Sequence, residues 1–338
     1  MASITITQEN CFDRFAQIPD QSLDCIITDQ PYNASETATT EHEIGGFHDR
    51  MAFQRFYGTW DLGFDQLAFI KQAWRTLKPG GWLITFNGDG MFGCFHDIAK
   101  WYKSALYSYL DFYSTVGVLS GEEYNNAVQR MDSMEWQPWF EYKATVVWHK
   151  TNPVTRVRKT TTVSSNEWIQ ICRRTDNGKS AQPVAWNYLK HNEMHNFVKG
   201  EDVLDELVEG GLCGGNERMY WHVLDPVHDD AGEIVGGQTI PCLRRQDCPL
   251  CKNNVERQRH GTQKPLYVWQ WIYERYTKPG LRVYDPFTGT GSSGVAAMQY
   301  GLDWFGSELS WEYVQVAQMN LAGTWGKPQH NEKQMEMF

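Results

Sequence analysis

The sequence predicts an α/β fold: a doubly wound, mostly parallel sheet carrying one large insertion. Three observations predict it. Short apolar runs alternate with stretches of helical spacing in the first and last parts of the chain. Two of those runs end in an aspartate that opens a turn, Asp29 and Asp285. From Asp176 to Gln258 the alternation gives way to glycine-rich, charged and cysteine-bearing sequence. A chain of 338 residues, 41% apolar and 14% aromatic, can bury a large core, which fits one globular domain with an inserted region.

Taken in order, Leu23 to Thr28 is a short apolar run, consistent with a buried parallel strand. Gln66 to Leu77 has helical spacing and stops at Lys78-Pro79-Gly80-Gly81, a breaker after a helix. Trp82 to Phe86 follows as the next strand and Gly93 to Ser104 as another amphipathic helix. Thr145 to Trp148 and Glu167 to Cys172 are later strands of the same sheet. Beyond the insertion come a helix from Pro265 to Tyr276, a strand from Leu281 to Tyr284, a glycine turn, and a helix from Ser292 to Tyr300. The expected organisation is therefore one part of the domain at 1–175, with an aromatic-rich insertion at about 104–141. A recognition insertion at 176–258, a second part of the domain at 259–322 and a tail at 323–338 complete it. There is no internal repeat.

Ligands of open α/β sheets bind outside the carboxyl ends of the strands, where the strand order reverses. Asp29 and Asp285 both stand at such ends, so strands flanking the switch point would bring them into one crevice despite the 256 residues between them. Gly289 and Gly291 permit tight backbone geometry and close approach of a ligand. Glu308 lies 19 residues beyond Gly289, about where an acid grips ribose hydroxyls in dinucleotide-binding folds.

Charge and cysteine usage narrow the class. A formal charge of −10 counts against a uniformly basic surface, but the distribution is uneven. Lys143 to Lys190 holds nine Lys or Arg against two acids, Cys242 to Lys264 six against two, and Glu193 to Glu233 eleven acids against two bases. These runs are either solvated surface or the flanks of a groove for DNA. Met1 to Phe15 lacks a basic region followed by an apolar run, and no apolar stretch reaches the roughly 20 residues that span a bilayer, so a cytoplasmic protein is expected. Eight irregularly spaced cysteines fit reduced thiols or a metal site better than a disulfide framework. Cys242, Cys248 and Cys251 form Cys-x5-Cys-x2-Cys, and Cys248-Pro249-Leu250-Cys251 resembles a zinc knuckle. Cys213, His222 or His228 can complete a tetrahedral structural zinc site, with Cys213 the expected fourth ligand; buried or free thiols are the alternative. In the aromatic-rich stretch, residues such as Tyr107, Tyr113, Trp136 and Trp139 fit core packing better than base stacking.

Asp29-Gln30-Pro31-Tyr32, followed 256 residues later by Asp285-Pro286-Phe287-Thr288-Gly289-Thr290-Gly291, resembles the circularly permuted β class of amino-group DNA methyltransferases. In that class the catalytic motif precedes the recognition region and the cofactor motif follows it. Matching segments cover most of the chain outside the insertions. Gln8-Glu9-Asn10-Cys11 is similar to the family's opening, where an acid before the cysteine contacts the cofactor's adenine; here Asn10 stands in that place. Trp60-Asp61 to Gly81 and Trp148-His149-Lys150-Thr151-Asn152-Pro153 match further stretches. His260-Gly261-Thr262-Gln263-Lys264-Pro265 resembles the segment that closes over the methionine end of the cofactor, with Lys264 pairing its carboxylate and Thr262 and Gln263 hydrogen-bonding.

The resemblance implies a Rossmann-like sheet, S-adenosylmethionine as cofactor, double-stranded DNA as partner and methyl transfer to an exocyclic amine. Such an amine is a weak nucleophile because its lone pair is delocalised into the ring, so one N–H must be accepted by a carboxylate and the other by a carbonyl. Asp29 and the carbonyl of Gln30 are the candidates, Pro31 restrains Gln30, and Tyr32 would stack on the base after it leaves the duplex. The family usually carries proline where this chain has Gln30; the carbonyl survives, but rigidity is lost. The implied cofactor site comprises Asn10, Asp29, His260, Thr262, Gln263, Lys264, Asp285, Pro286, Phe287, Gly289, Gly291, Ser292 and Glu308. An initial aspartate with Asn33 after Tyr32 resembles members that methylate N6 of adenine; N4 of cytosine, an amine in RNA or protein, and a binding relative without turnover stay open. Gln334-Met335-Glu336-Met337-Phe338 resembles a sliding-clamp-binding pentapeptide, and a homodimer is also open.

Overall fold

The computed structural model describes residues 3–31, 64–87, 120–133, 140–150, 166–187, 207–210, 219–242, 244–260 and 263–324. The expected helix at 93–104, the aromatic residues Tyr107, Tyr113, Trp136 and Trp139, the matches at Trp60-Asp61 and Thr151–Pro153, and Tyr32, Asn33, Cys213, Thr262 and the terminal pentapeptide lie outside them.

The first part of the chain contributes β1 (Ile4–Gln8), α1 (Cys11–Gln17), β2 (Leu23–Thr28), α2 (Gln66–Thr76) and β3 (Leu77–Asn87). α3 (Gly121–Ser133), β4 (Phe140–Lys150) and β5 (Asn166–Arg174) follow. All six residues of β2 are buried, and its side chains divide between two cores. Cys25 and Ile27 face a layer with Trp82, Ile84 and Phe86, while Leu23 and Ile26 face one with Phe15, Phe69, Ile70 and Ala73. Cys25, Ile26 and Ile27 alternate faces as in a strand covered by helices on both sides, and Leu23 joins the Ile26 side across the register shift between Leu23 and Cys25. α2 begins under a cap in which Asp65 accepts the Ala68 N–H at 2.9 Å.

After the insertion come α5 (Leu266–Tyr276), β10 (Arg282–Asp285), α6 (Ser292–Gln299), β11 (Asp303–Glu308) and α7 (Trp311–Leu321). Val268, Trp269, Ile272 and Tyr273 of α5 and Ala296 and Ala297 of α6 pack on the same face as Cys25 and Ile27, so α1 and α2 cover one side of the sheet and α5 and α6 the other. With β6 (Leu207–Gly210), the sheet runs β1-β11-β10-β2-β3-β5-β4-β6. The pairs β1·β11, β11·β10, β10·β2, β2·β3 and β4·β6 are parallel, and β5 runs antiparallel to both β3 and β4. The sheet is thus mostly parallel, and the first and last parts of the chain interleave within it.

Two local expectations are revised. Lys78 to Gly81 does not separate helix from strand, because β3 starts at Leu77 and the irregularity is absorbed as a register shift opposite Leu23 and Cys25. Residues near 183–187, read as the start of the insertion, pack on the main layer: the Val184 N–H donates to the Gly80 carbonyl at 3.0 Å and the Trp82 indole to the Ala185 carbonyl at 2.7 Å. The remaining inserted region holds β7 (Tyr220–His228), β8 (Ile234–Pro241), the short α4 (Pro249–Lys252) and β9 (Gln258–Arg259). Its three strands form an antiparallel sheet ordered β8-β7-β9. Among the described residues no helix is long and apolar enough to cross a membrane.

Candidate active site

β2 and β10 are neighbours at the centre of the sheet, with Val283 and Tyr284 in register with Cys25 and Ile26. From β2 the chain passes through α2 to β3 on one side, and from β10 through α6 to β11 on the other. This is the switch point of the sheet, and Asp29 and Asp285 stand at its carboxyl edge.

Asp285 is 1% exposed, and three donors surround its carboxylate. The Thr28 hydroxyl donates to Oδ1 at 2.6 Å, the Phe287 N–H donates to Oδ1 at 3.1 Å, and the Ser293 hydroxyl donates to Oδ2. Burial pushes this carboxyl up to about 6, while the Ser293 and Thr28 hydroxyls and the Phe287 N–H pull it back down. Asp285 thereby ties the end of β2 to the glycine turn and to the first turn of α6.

In that turn Gly289 has φ +54° and Gly291 φ +79°, the left-handed region that side chains with a Cβ rarely adopt. A Cβ at Gly289 would lie 3.0 Å from Nε2 of His260, whose ring sits 4.6 Å from that of Tyr313. The Gly289 N–H donates to Oε2 of Glu308 and the Ser310 N–H to Oε1, both at 2.9 Å. Each carboxylate oxygen keeps further acceptor capacity for a hydroxyl. Burial raises Glu308 above the ordinary glutamate value, against the lowering effect of these N–H groups. Ser292 accepts the Trp269 indole N–H at 2.9 Å, and the Pro286 carbonyl accepts the Ser307 hydroxyl at 3.3 Å. The Phe287 ring meets Phe64 edge-on at 5.1 Å and Phe69 at 6.0 Å.

The loop after β2 is fastened at successive residues. Gln30 is 4% exposed and its side-chain amide donates to the Phe86 carbonyl, at the end of β3, at 2.8 Å. The Pro31 carbonyl accepts from the Gln66 side chain at 2.7 Å. Gln30 thus obtains through its side chain a restraint that proline would have supplied through its ring.

Lys264 lies 2.6 Å from Asp29 Oδ2 and 3.2 Å from Glu167 Oε2, with its side chain 4% exposed. Burial alone would lower its ammonium pKa, but Asp29 and Glu167 raise it above the ordinary lysine value. For Glu167, burial acts upward, and Lys264 and Lys150 more than offset it, holding the carboxyl below the usual range. A row of alternating charge results, Asp29, Lys264, Glu167, Lys150, with the last pair at 2.7 Å. Gln263 is buried and its carbonyl accepts the Met219 N–H at 3.1 Å, joining this segment to the inserted sheet. Asn10 caps α1, its side chain accepting the Phe12 N–H at 2.9 Å.

The site therefore gathers Asp29, Gln30, Pro31, Lys264, Asp285 and Pro286 around the adjoining ends of β2 and β10, with His260 over Gly289 and Glu308 behind it. Tyr32 and Thr262 belong to the expected site but fall outside the described residues. Thr28, Glu167 and Ser293 were not singled out from sequence. Thr28 and Ser293 are ordinary hydroxyls beside named motifs, and Glu167 is the second residue of an antiparallel strand far from either motif, so only three-dimensional proximity reveals them.

A family model described as DNA methylase, the N6/N4 family, matches residues 23–319. The chain belongs to this family. The methylase is 24% identical over 330 residues to the Type II methyltransferase M.HinfI of Haemophilus influenzae, covering 94% of this chain and 68% of that protein. It is 43% identical over 63 residues to the putative methylase YubD of Escherichia coli K12, 19% of this chain and 28% of that one. Similar solved structures include the M1.HpyAVI–SAM complex, with TM-score 0.47 at 17% identity, covering 94% of this chain and all of that chain. Another is the cytosine-N4-specific PvuII DNA methyltransferase, with TM-score 0.49 at 14% identity, covering 94% and 86%.

Proposed function

We propose that this DNA methylase transfers the methyl group of S-adenosylmethionine to the N6 amine of an adenine turned out of double-stranded DNA. The observation that carries the reading is the adjacency of Asp29 to the Asp285 glycine turn at the switch point. The residues present fit the cofactor. Gly289 and Gly291 keep the turn free of side chains, Glu308 offers acceptors for ribose hydroxyls, and Phe287 and Phe64 form an aromatic wall. When bound, the cofactor supplies an electrophilic methyl on a sulfonium.

The chain's own part is to position the amine. Asp29 accepts one N–H and the Gln30 backbone carbonyl accepts the other, turning the nitrogen lone pair toward the donor. Lys264 and Glu167 hold the Asp29 carboxylate in place. Tyr32 is proposed to stack on the displaced base, offsetting a few kcal/mol of unstacking. The region 176–258, less its packed start, is proposed to read the DNA sequence, and its stretch from Arg244 to Arg259 carries the basic residues suited to phosphates. The terminal Gln334–Phe338 is proposed to dock on a sliding clamp.

The test is incubation with methyl-labelled S-adenosylmethionine and unmethylated DNA, followed by digestion and identification of the labelled nucleoside. N6-methyladenine supports the reading. N4-methylcytosine would overturn the choice of base, and no labelled nucleoside on any DNA would overturn the activity.

A further inference from the structure

The inserted sheet assembles a second cluster of chemistry-bearing side chains, remote in sequence from the catalytic motifs. His222 on β7, Cys242 just past β8, Cys248 at the N-cap of α4 and Cys251 within α4 bring one nitrogen and three sulfurs within 4.8 Å of one another. Cys242 Sγ lies 3.6 Å from Cys251 Sγ, and His222 Nε2 lies 3.4 Å from Cys248 Sγ and 3.4 Å from Cys251 Sγ. A tetrahedral zinc with Zn–S near 2.3 Å and Zn–N near 2.0 Å requires edges of about 3.8 Å between sulfurs and about 3.6 Å between sulfur and nitrogen. These three separations are within a few tenths of an ångström of those edges, and the other pairs of ligand atoms lie within 4.8 Å.

A second observation is independent of the sulfurs. His222 is fully buried, and its Nδ1 lies 2.6 Å from the Glu256 carbonyl, which can only accept. Nδ1 therefore carries the proton, and the lone pair of Nε2 points into the cluster. This is the outer hydrogen bond that orients a metal-binding imidazole.

We infer that His222, Cys242, Cys248 and Cys251 bind one zinc ion. Four protein ligands close the coordination shell, leaving no position for water, and three thiolates with one imidazole suit zinc rather than a hard cation. The role is structural. The ion joins β7, the end of β8 and the α4 turn, which adjoins the basic residues from Arg244 to Arg259. β7 pairs with β9 through Tyr220 with Arg259 and Trp221 with Gln258, directly before His260. Trp221 also donates to Glu312 of α7 at 3.0 Å. The metal thus fixes the sheet against which His260 and Gln263 are set. Cys213, expected from sequence as the fourth ligand, lies outside the described residues, and His222 fills that place.

The inference does not rest on the methyl-transfer reading, because metal content is measured without donor or DNA. The full chain, purified without chelator, is expected to hold about one zinc per chain by elemental analysis, released in step with titration of three thiols by a mercurial reagent. Cobalt substituted into the wild-type protein should give the intense visible bands of tetrahedral thiolate coordination. Cys251→Ser and His222→Ala should fall to about a tenth of a zinc per chain or lose the fold unless zinc is supplied in excess, while Cys11→Ala retains the metal. A fully folded wild-type protein that holds no zinc and takes up no cobalt would overturn the inference. So would stoichiometric zinc that survives Cys251→Ser and His222→Ala undiminished, or stoichiometric iron in place of zinc.

Discussion

Replacing Gln30 tests whether a side-chain hydrogen bond has taken over the restraint that proline gives the catalytic loop. Its amide is buried and donates to the Phe86 carbonyl at 2.8 Å. Gln30→Ala removes that bond and deprives a buried carbonyl of a donor, at a cost of roughly 1–3 kcal/mol. Gln30→Pro loses the same bond but recovers roughly 0.4–1 kcal/mol by restricting the unfolded chain. The net expectation is about 2 kcal/mol of destabilisation for the alanine variant and about 1 kcal/mol for the proline variant, read by urea denaturation. Because the Gln30 carbonyl is a proposed acceptor for the target amine, loosening it should slow single-turnover methylation by roughly tenfold in Gln30→Ala, equivalent to about 1.4 kcal/mol, with donor affinity little changed. A Gln30→Ala protein as stable and as fast as wild type would refute the reasoning. It would mean that the backbone alone positions the carbonyl.

Two further expectations follow from buried charge. Lys264→Met removes the cation between Asp29 and Glu167 and should cost about 3–5 kcal/mol, with part of the loss recovered in the Lys264→Met/Glu167→Gln double variant; denaturation of wild type, Lys264→Met, Glu167→Gln and the double variant forms the cycle. Additive losses would show that Lys264 and Glu167 are not coupled. Asp285 holds its proton more tightly folded than unfolded, since burial moves it from 3.8 to about 6. Its stabilising contribution is therefore full below about pH 4 and lost as pH rises through about 6. The stability difference between wild type and Asp285→Asn should shift toward the variant by about 2 kcal/mol between pH 4 and pH 7.5. A difference that stays constant with pH would contradict that placement.

Much of the sheet was legible in the sequence because apolar runs, breakers and glycine turns report local geometry. The strand from Leu23 to Thr28 agrees in extent with β2, and the later expected strands at Thr145–Trp148 and Glu167–Cys172 lie inside β4 and β5. Their antiparallel pairing was not legible, since direction depends on connections rather than on the pattern within a strand. The site divides in the same way. Motifs marked by glycine or by an aspartate at a strand end could be read directly, whereas Glu167 acquires its place only through contact with Lys264, 97 residues away in sequence. His222 was one of several residues able to complete the cysteine cluster, and spacing could not choose among them. The choice is made by β7, which pairs with both β8 and β9 and carries the imidazole to the thiols.

The central claim is that the Asp29 carboxylate accepts a proton of the reacting amine beside the Asp285 turn. Asp29→Ala, compared with wild type in single-turnover methylation of unmethylated DNA under saturating S-adenosylmethionine, tests it most directly. A folded variant whose rate falls by about a hundredfold or more supports the claim. A folded variant that methylates adenine at the wild-type rate contradicts it.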